Sequence, residues 1–147
     1  MRRLLIILFL IVSYSCNKDA YQVYECWYVV NKTEESLRII AIDMDKKLLP
    51  GDTIPIYGRH RDVDKDFDKL ILDFSCFYTR RYGTHKDIIL CDSILKEIVT
   101  WSIYDNNING RHLMNERVWQ KLYEPNNARF SWYYTISPED LIRLRGY

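Results

Sequence analysis

Hydrophobic and polar positions along the chain follow two different rhythms. From Arg129 to Ile136 they alternate, with Phe130, Trp132, Tyr134 and Ile136 on one side and Arg129, Ser131, Tyr133 and Thr135 on the other; that is the period of a strand with one buried face. Tyr21 to Val30 is apolar on both sides and rich in aromatic and β-branched residues, which predicts a sheltered strand. Ser36 to Asp43 predicts a second strand, paired with the first as an antiparallel hairpin across the turn Asn31 to Glu35. Thr53 to Tyr57 predicts a short edge strand, because Pro55 cannot donate to a ladder. Leu70 to Tyr78, Asp87 to Cys91 and Ile98 to Asp105 complete the strands, with residues 92 to 97 as a short link. Met44 to Gly51 reads as a loop through Pro50-Gly51, and the alternating charges of Arg59 to Lys69 as a solvated linker.

The period changes near the end of the chain. Met114, Val118 and Leu122 recur at four-residue spacing beside Trp119 and Tyr123, which predicts an amphipathic helix of about three turns ended by Pro125. Ser137 as N-cap, Pro138 at the first helical place, Glu139 and Asp140 in the first turn and Gly146 as the stop predict a short C-terminal helix, seated through Leu141 and Leu144. The expected fold class is therefore mainly β (α+β): a small antiparallel β-sandwich-like domain with one inserted helix and a short C-terminal helix.

The N-terminus obeys neither rhythm. Arg2 and Arg3 precede an unbroken apolar run from Leu4 to Val12, which reads as an export signal. At 1.5 Å rise per residue the run is too short to cross a hydrocarbon core, which needs about 20 helical residues. Ser13, Tyr14, Ser15 and Cys16 follow, and the segment resembles a bacterial lipoprotein signal of the relaxed kind found in Bacteroidetes, with Cys16 as the lipidated residue. The division expected is 1–15 signal peptide, 16–20 tether and 21–147 a single β-rich domain. Ile103-Tyr104-Asp105, the stretch around Trp119, the aromatic strand and Pro138-Glu139-Asp140-Leu141 together resemble the C-terminal half of small Bacteroidetes lipoproteins of unknown function. The resemblance implies a cell-envelope protein lipid-anchored to the outer membrane, on its periplasmic face or the cell surface, and brings no catalytic residue with it.

Composition changes this picture in two places. The 21 basic and 20 acidic side chains nearly cancel, so the chain lacks the basic footprint that nucleic acid requires. Besides Cys16 there are Cys26, Cys76 and Cys91 in an oxidising compartment. Any of the three pairings is open, as is a buried free thiol, and without a Cys-x-x-Cys no zinc or redox motif is formed.

Residues 105 to 116 match the spacing of a calcium loop, with Asp105, Asn107 and Asn109 at the first, third and fifth places, Gly110 at the sixth and Glu116 at the twelfth. A strand precedes it where a helix belongs, and Arg111 and His112 add positive charge, so an Asn-Gly turn without metal is the expectation. His60, His85 and His112 have neither a nucleophile elbow nor a neighbouring cysteine, and no catalytic residue or cofactor is expected. Trp27, Trp101, Trp119 and Trp132 fall in periodic segments and are expected in the core. What remains is a tethered, non-catalytic module that binds an envelope protein or a glycan. An exposed row of aromatic rings would favour the glycan, and an exposed apolar patch the protein.

Overall fold

The structure is a computed structural model and describes residues 21–41, 44–63, 87–102 and 110–146. The expected signal, the expected tether with Cys16, the expected strand Leu70 to Tyr78 with Cys76, His85 and the Asp105 to Asn109 part of the calcium-like loop lie outside the described residues. The strands are β1 (Tyr21–Asn31), β2 (Leu37–Ala41), β3 (Met44–Leu48), β4 (Thr53–Val63), β5 (Ile88–Asp92), β6 (Glu97–Trp101), β7 (Trp119–Glu124) and β8 (Arg129–Ile136), followed by the helix α1 (Pro138–Leu144). They form two four-stranded sheets, ordered β4-β1-β8-β7 and β3-β2-β5-β6. Trp27, Val29, Trp119, Trp132, Tyr134 and Ile136 from the first sheet share one buried cluster with Leu37, Ile39, Leu48, Ile88, Leu90 and Trp101 from the second. The domain is thus the mainly β, sandwich-like fold that the periodicity predicts, and all four tryptophans are buried in it.

The alternation of β8 is realised residue for residue: Phe130, Trp132, Tyr134 and Ile136 face inward. The C-terminal helix is also as predicted. Ser137 Oγ accepts the Asp140 amide and Asp140 Oδ2 accepts the Ser137 amide, so each end of the cap satisfies an amide that the helix leaves unpaired. Leu141 is 3% exposed and seats the helix in the core, with Leu144 packed beside it.

Four expectations are corrected. The inserted helix is absent: Glu116–Val118 makes one 3₁₀ turn, capped by Asn115, and the chain continues as β7. A spacing of four is a multiple of two as well as about one helical turn, and here the strand period prevails, with Trp119, Lys121 and Tyr123 inward and the half-exposed Leu122 outward. β1 and β2 are not a hairpin; they lie in different sheets, and β1 pairs β4 antiparallel and β8 in parallel. Met44–Leu48 is a strand whose exposed Asp45, Lys46 and Lys47 suit a sheet edge. Pro55 does lie on a strand that is at the edge of its sheet among the described residues, but β4 runs on to Val63 through residues expected as linker, its Arg59 and Arg61 paired with β1.

One buried side chain fixes the crossing between the sheets. Asn31, fully buried, donates from Nδ2 to the carbonyls of Glu35 (2.8 Å) and Leu48 (3.0 Å), while its Oδ1 accepts from the amide and hydroxyl of Thr33. Its backbone bonds Asp52 and Gly51, and the adjacent Lys32 amide bonds Ile136. The end of β1, the turn before β4 and the start of α1 are therefore pinned at one point. Gly51 makes that turn possible, with φ +83°.

Candidate functional site

The topology gives the sandwich two unlike ends. One holds Tyr21, where β1 begins; the other, about 33 Å away at 3.3 Å per residue along β1, holds Asn31 and the elements pinned to it. At this second end, the pole, lie the loop 32–36, the turn 49–52, the turn 93–96 between β5 and β6, and α1. The register places them together, since Leu37 pairs both Leu48 and Asp92.

Among the described residues six large hydrophobic side chains are exposed, and four of them are at the pole: Leu49 (45%), Ile94 (80%), Leu95 (54%) and Ile142 (55%). Ile142 also lines a groove of about 460 Å³ between the loop 32–36 and α1, walled with it by Thr33, Glu34, Pro138 and Leu141. A second, polar cleft of about 220 Å³ opens under the turn 93–96, and Arg145 borders both. Arg145 donates to both oxygens of Glu35 (2.9 and 2.6 Å), a two-point grip that holds the Glu35 carboxyl below its usual range. Arg111 steadies the other side of α1, 2.9 Å from Asp140 and stacked over Tyr134, whose phenol burial pushes upward. Aliphatic side chains left in water at one end of a domain forgo what burial would return, which is the form a docking surface takes.

The Tyr21 end carries its charge inside. Glu25 is fully buried, accepts hydrogen bonds from Arg59 Nε and Trp132 Nε1 (2.9 Å each) and lies 4.0 Å from Arg61. Lys121 lies over the Phe130 and Trp132 rings nearby.

A second surface is the outer face of β4, β1 and β8. A Cβ built on Gly58 would lie 2.5 Å from Tyr24 Oη, so the missing side chain lets the Tyr24 ring lie across the sheet, 38% exposed. The His60 ring is 5.0 Å away. Tyr28 and Tyr133, paired in register, stack at 5.1 Å, with Arg129 bonded to the Tyr28 hydroxyl. Burial pushes the Tyr28 phenol upward, and the Cys26 thiol beside it does the same to Tyr24. On this face Ser131 Oγ is buried without a hydrogen-bond partner.

The residues singled out in the sequence are dispersed. His60 belongs to the tyrosine face, while His112 is half-buried in the turn before β7, where Nδ1 accepts the Met114 amide (3.0 Å). Of the calcium-like loop, Gly110 adopts φ +56° and Glu116 is exposed at the start of the 3₁₀ turn. Among the described residues no three His, Cys, Asp or Glu side chains converge as metal ligands would. Cys26 and Cys91 are buried free thiols in opposite sheets. The exposed aliphatics of the pole were missed, and the signal was two adjacent branched residues in a link too short to bury them. Compared with protein-family models, with curated proteins and with solved structures, the chain matches none of them.

Proposed function

We propose that this chain is a lipid-anchored, non-catalytic binding module of the cell envelope that engages a partner protein through its pole. The observation that carries this reading is the concentration of exposed aliphatic side chains at the end of the domain remote from Tyr21. A tether lipidated at Cys16 holds Tyr21 close to the membrane, so the pole points away from it. Two acyl chains or more hold such an anchor stably, at about 0.8 kcal/mol per buried CH₂. Among the described residues no helix is long and apolar enough to cross a membrane.

Two experiments separate the parts of the proposal. Cys16→Ser releases the protein from the membrane fraction; a variant that keeps its membrane attachment after signal cleavage contradicts the anchor. A pull-down from the native envelope with the wild-type protein retains a partner that the double variant Leu49→Asp/Ile142→Asp loses, while both proteins melt alike because neither side chain packs in the core. Equal recovery by both contradicts the pole as binding end.

A second reading has its own observation. Tyr24 and Tyr28 lie on one face four residues apart, about 13 Å along the strand, so a ligand touching both rings is an oligosaccharide and not a single sugar. Sugar rings stack on exposed aromatic faces. Sedimentation with insoluble cell-wall polysaccharide tests it: loss of binding in Tyr24→Ala supports a glycan face, and no sedimentation of the wild type removes it.

A further inference from the structure

The turn between β5 and β6 is built for glycine and carries leucine. Asp92 Oδ1 accepts the amides of Ile94 (3.0 Å) and Lys96 (2.9 Å), the Leu95 amide donates to the Asp92 carbonyl (3.2 Å), and the Asp92 amide donates to the Lys96 carbonyl (3.0 Å). This closes a three-residue hairpin loop whose last place is left-handed, and Leu95 occupies it at φ +66°. An L side chain is disfavoured there because its Cβ crowds the backbone, and glycine is the usual occupant. Leu95 nevertheless holds the place and is 54% exposed, next to Ile94 at 80%. Neither side chain belongs to the buried core cluster. The turn therefore gives up stability twice, in its backbone and in the solvation of two branched aliphatics, and strain of this kind concentrates at functional sites.

We infer that Ile94 and Leu95 form a plug that enters a dry apolar socket on a partner protein; this rests on the reading of the pole as the binding end. The lipid bilayer is the wrong socket for two reasons. The tip is at the end opposite the tether, and the charges around it are mixed, with Asp92, Glu97, Glu34 and Glu35 beside Lys96, Lys32 and Arg145. Docking to an anionic leaflet calls for clustered Lys and Arg. The pole of a second copy is also the wrong socket, because its own hollows are not dry and apolar: the cleft beneath the turn is lined by Asp92, Lys96, Glu97 and Arg145, and the groove beside α1 by Lys32, Glu34, Glu35 and Arg145. The rim instead fits a protein surface of alternating charge around an apolar centre.

The test uses the full lipidated protein in its native envelope, with a photoreactive residue in place of Ile94. Irradiation is expected to give one adduct, heavier than the chain by a mass other than its own. Leu95→Gly relieves the backbone and removes half of the plug, so it should raise the melting temperature by a few degrees and lower the adduct yield at least fivefold. A plain folding turn would show the first effect without the second. An unchanged yield in Leu95→Gly overturns the plug; if Ile142→Asp then abolishes the adduct, the pole still stands as the binding end, and if it does not, both readings fall. An adduct of twice the chain mass replaces the partner with a second copy. Flotation of the unlipidated Cys16→Ser protein with phosphatidylethanolamine and phosphatidylglycerol vesicles, abolished by Leu95→Gly, replaces it with a membrane.

Discussion

The two ends of the sandwich handle the same problem, where to put a side chain that does not suit its surroundings, in opposite ways. Near Tyr21 a carboxylate is drawn inside: Glu25 is fully buried, and the Arg59 and Trp132 donors satisfy both of its oxygens. At the pole aliphatics are left outside, with Ile94 more exposed than any other large hydrophobic side chain among the described residues. A buried charge with its partners in place is costly to assemble and more costly to break. An exposed aliphatic adds nothing to the fold and waits on something else to cover it. The contrast separates an end whose side chains are committed to holding the domain together from an end whose aliphatics the fold leaves uncovered.

The largest effect should come from breaking the committed end. Glu25→Ala removes from a fully buried site the carboxylate that accepts from Arg59 and the Trp132 indole and should destabilise the domain by about 3–5 kcal/mol in denaturant melts; a midpoint near that of wild type would mean that the buried pair is not needed. Asn31→Ala tests the polar base beneath the pole. Four hydrogen bonds are lost at a fully buried site, for an expected cost of about 3 kcal/mol, and because Asn31 ties three elements, faster amide exchange should appear in the loop 32–36 and the turn 49–52 together. Exchange confined to one of them would show that the elements are not coupled. Ser137→Ala removes one half of the reciprocal cap and should cost about 1 kcal/mol. It should also loosen α1 without disturbing β8, which circular dichroism and exchange at Leu141 can separate.

The smallest effect is one of pH. Arg145 holds the Glu35 carboxyl below its ordinary value, so the folded state favours the ionised form and binds fewer protons there than the unfolded state. The stabilisation is complete above the ordinary glutamate value of about 4.3 and fades as pH falls from there through the lowered folded value. Because the pair is exposed, the effect on melting is slight, and it should vanish in Glu35→Gln; an equal acid response in that variant would assign it to other groups.

Local chemistry was legible in the sequence wherever neighbours in the chain decide the outcome. The alternation of Arg129 to Ile136 and the Ser137-Pro138-Glu139-Asp140 cap gave β8 and α1 with their buried faces. β7 was not legible, because Met114, Val118 and Leu122 fit a helix by spacing alone, whereas the outcome is set by pairing with β8, from Trp119 opposite Tyr134 to Glu124 opposite Arg129. The parallel pairing of β1 with β8 joins residues about a hundred positions apart, and no local pattern encodes it. The pole is hidden for the same reason. Leu49, Ile94, Leu95 and Ile142 come from three separate stretches; the register of β2 with β3 and β5 brings the first three to one end, and the pairing of Asn31 with Ile136 brings α1 and Ile142 there.

The proposed reading holds the aliphatic end away from the membrane to which a lipid at Cys16 would tether the chain. A fluorescent residue introduced at Gln22, exposed near the tether, and in a second protein at Ile94, measures this directly when the lipidated chain is reconstituted into bilayers containing brominated lipid. The account predicts strong quenching at position 22 and none at position 94. Quenching at position 94 equal to or greater than that at position 22 would contradict it, since the aliphatic pole would then be lying on the bilayer.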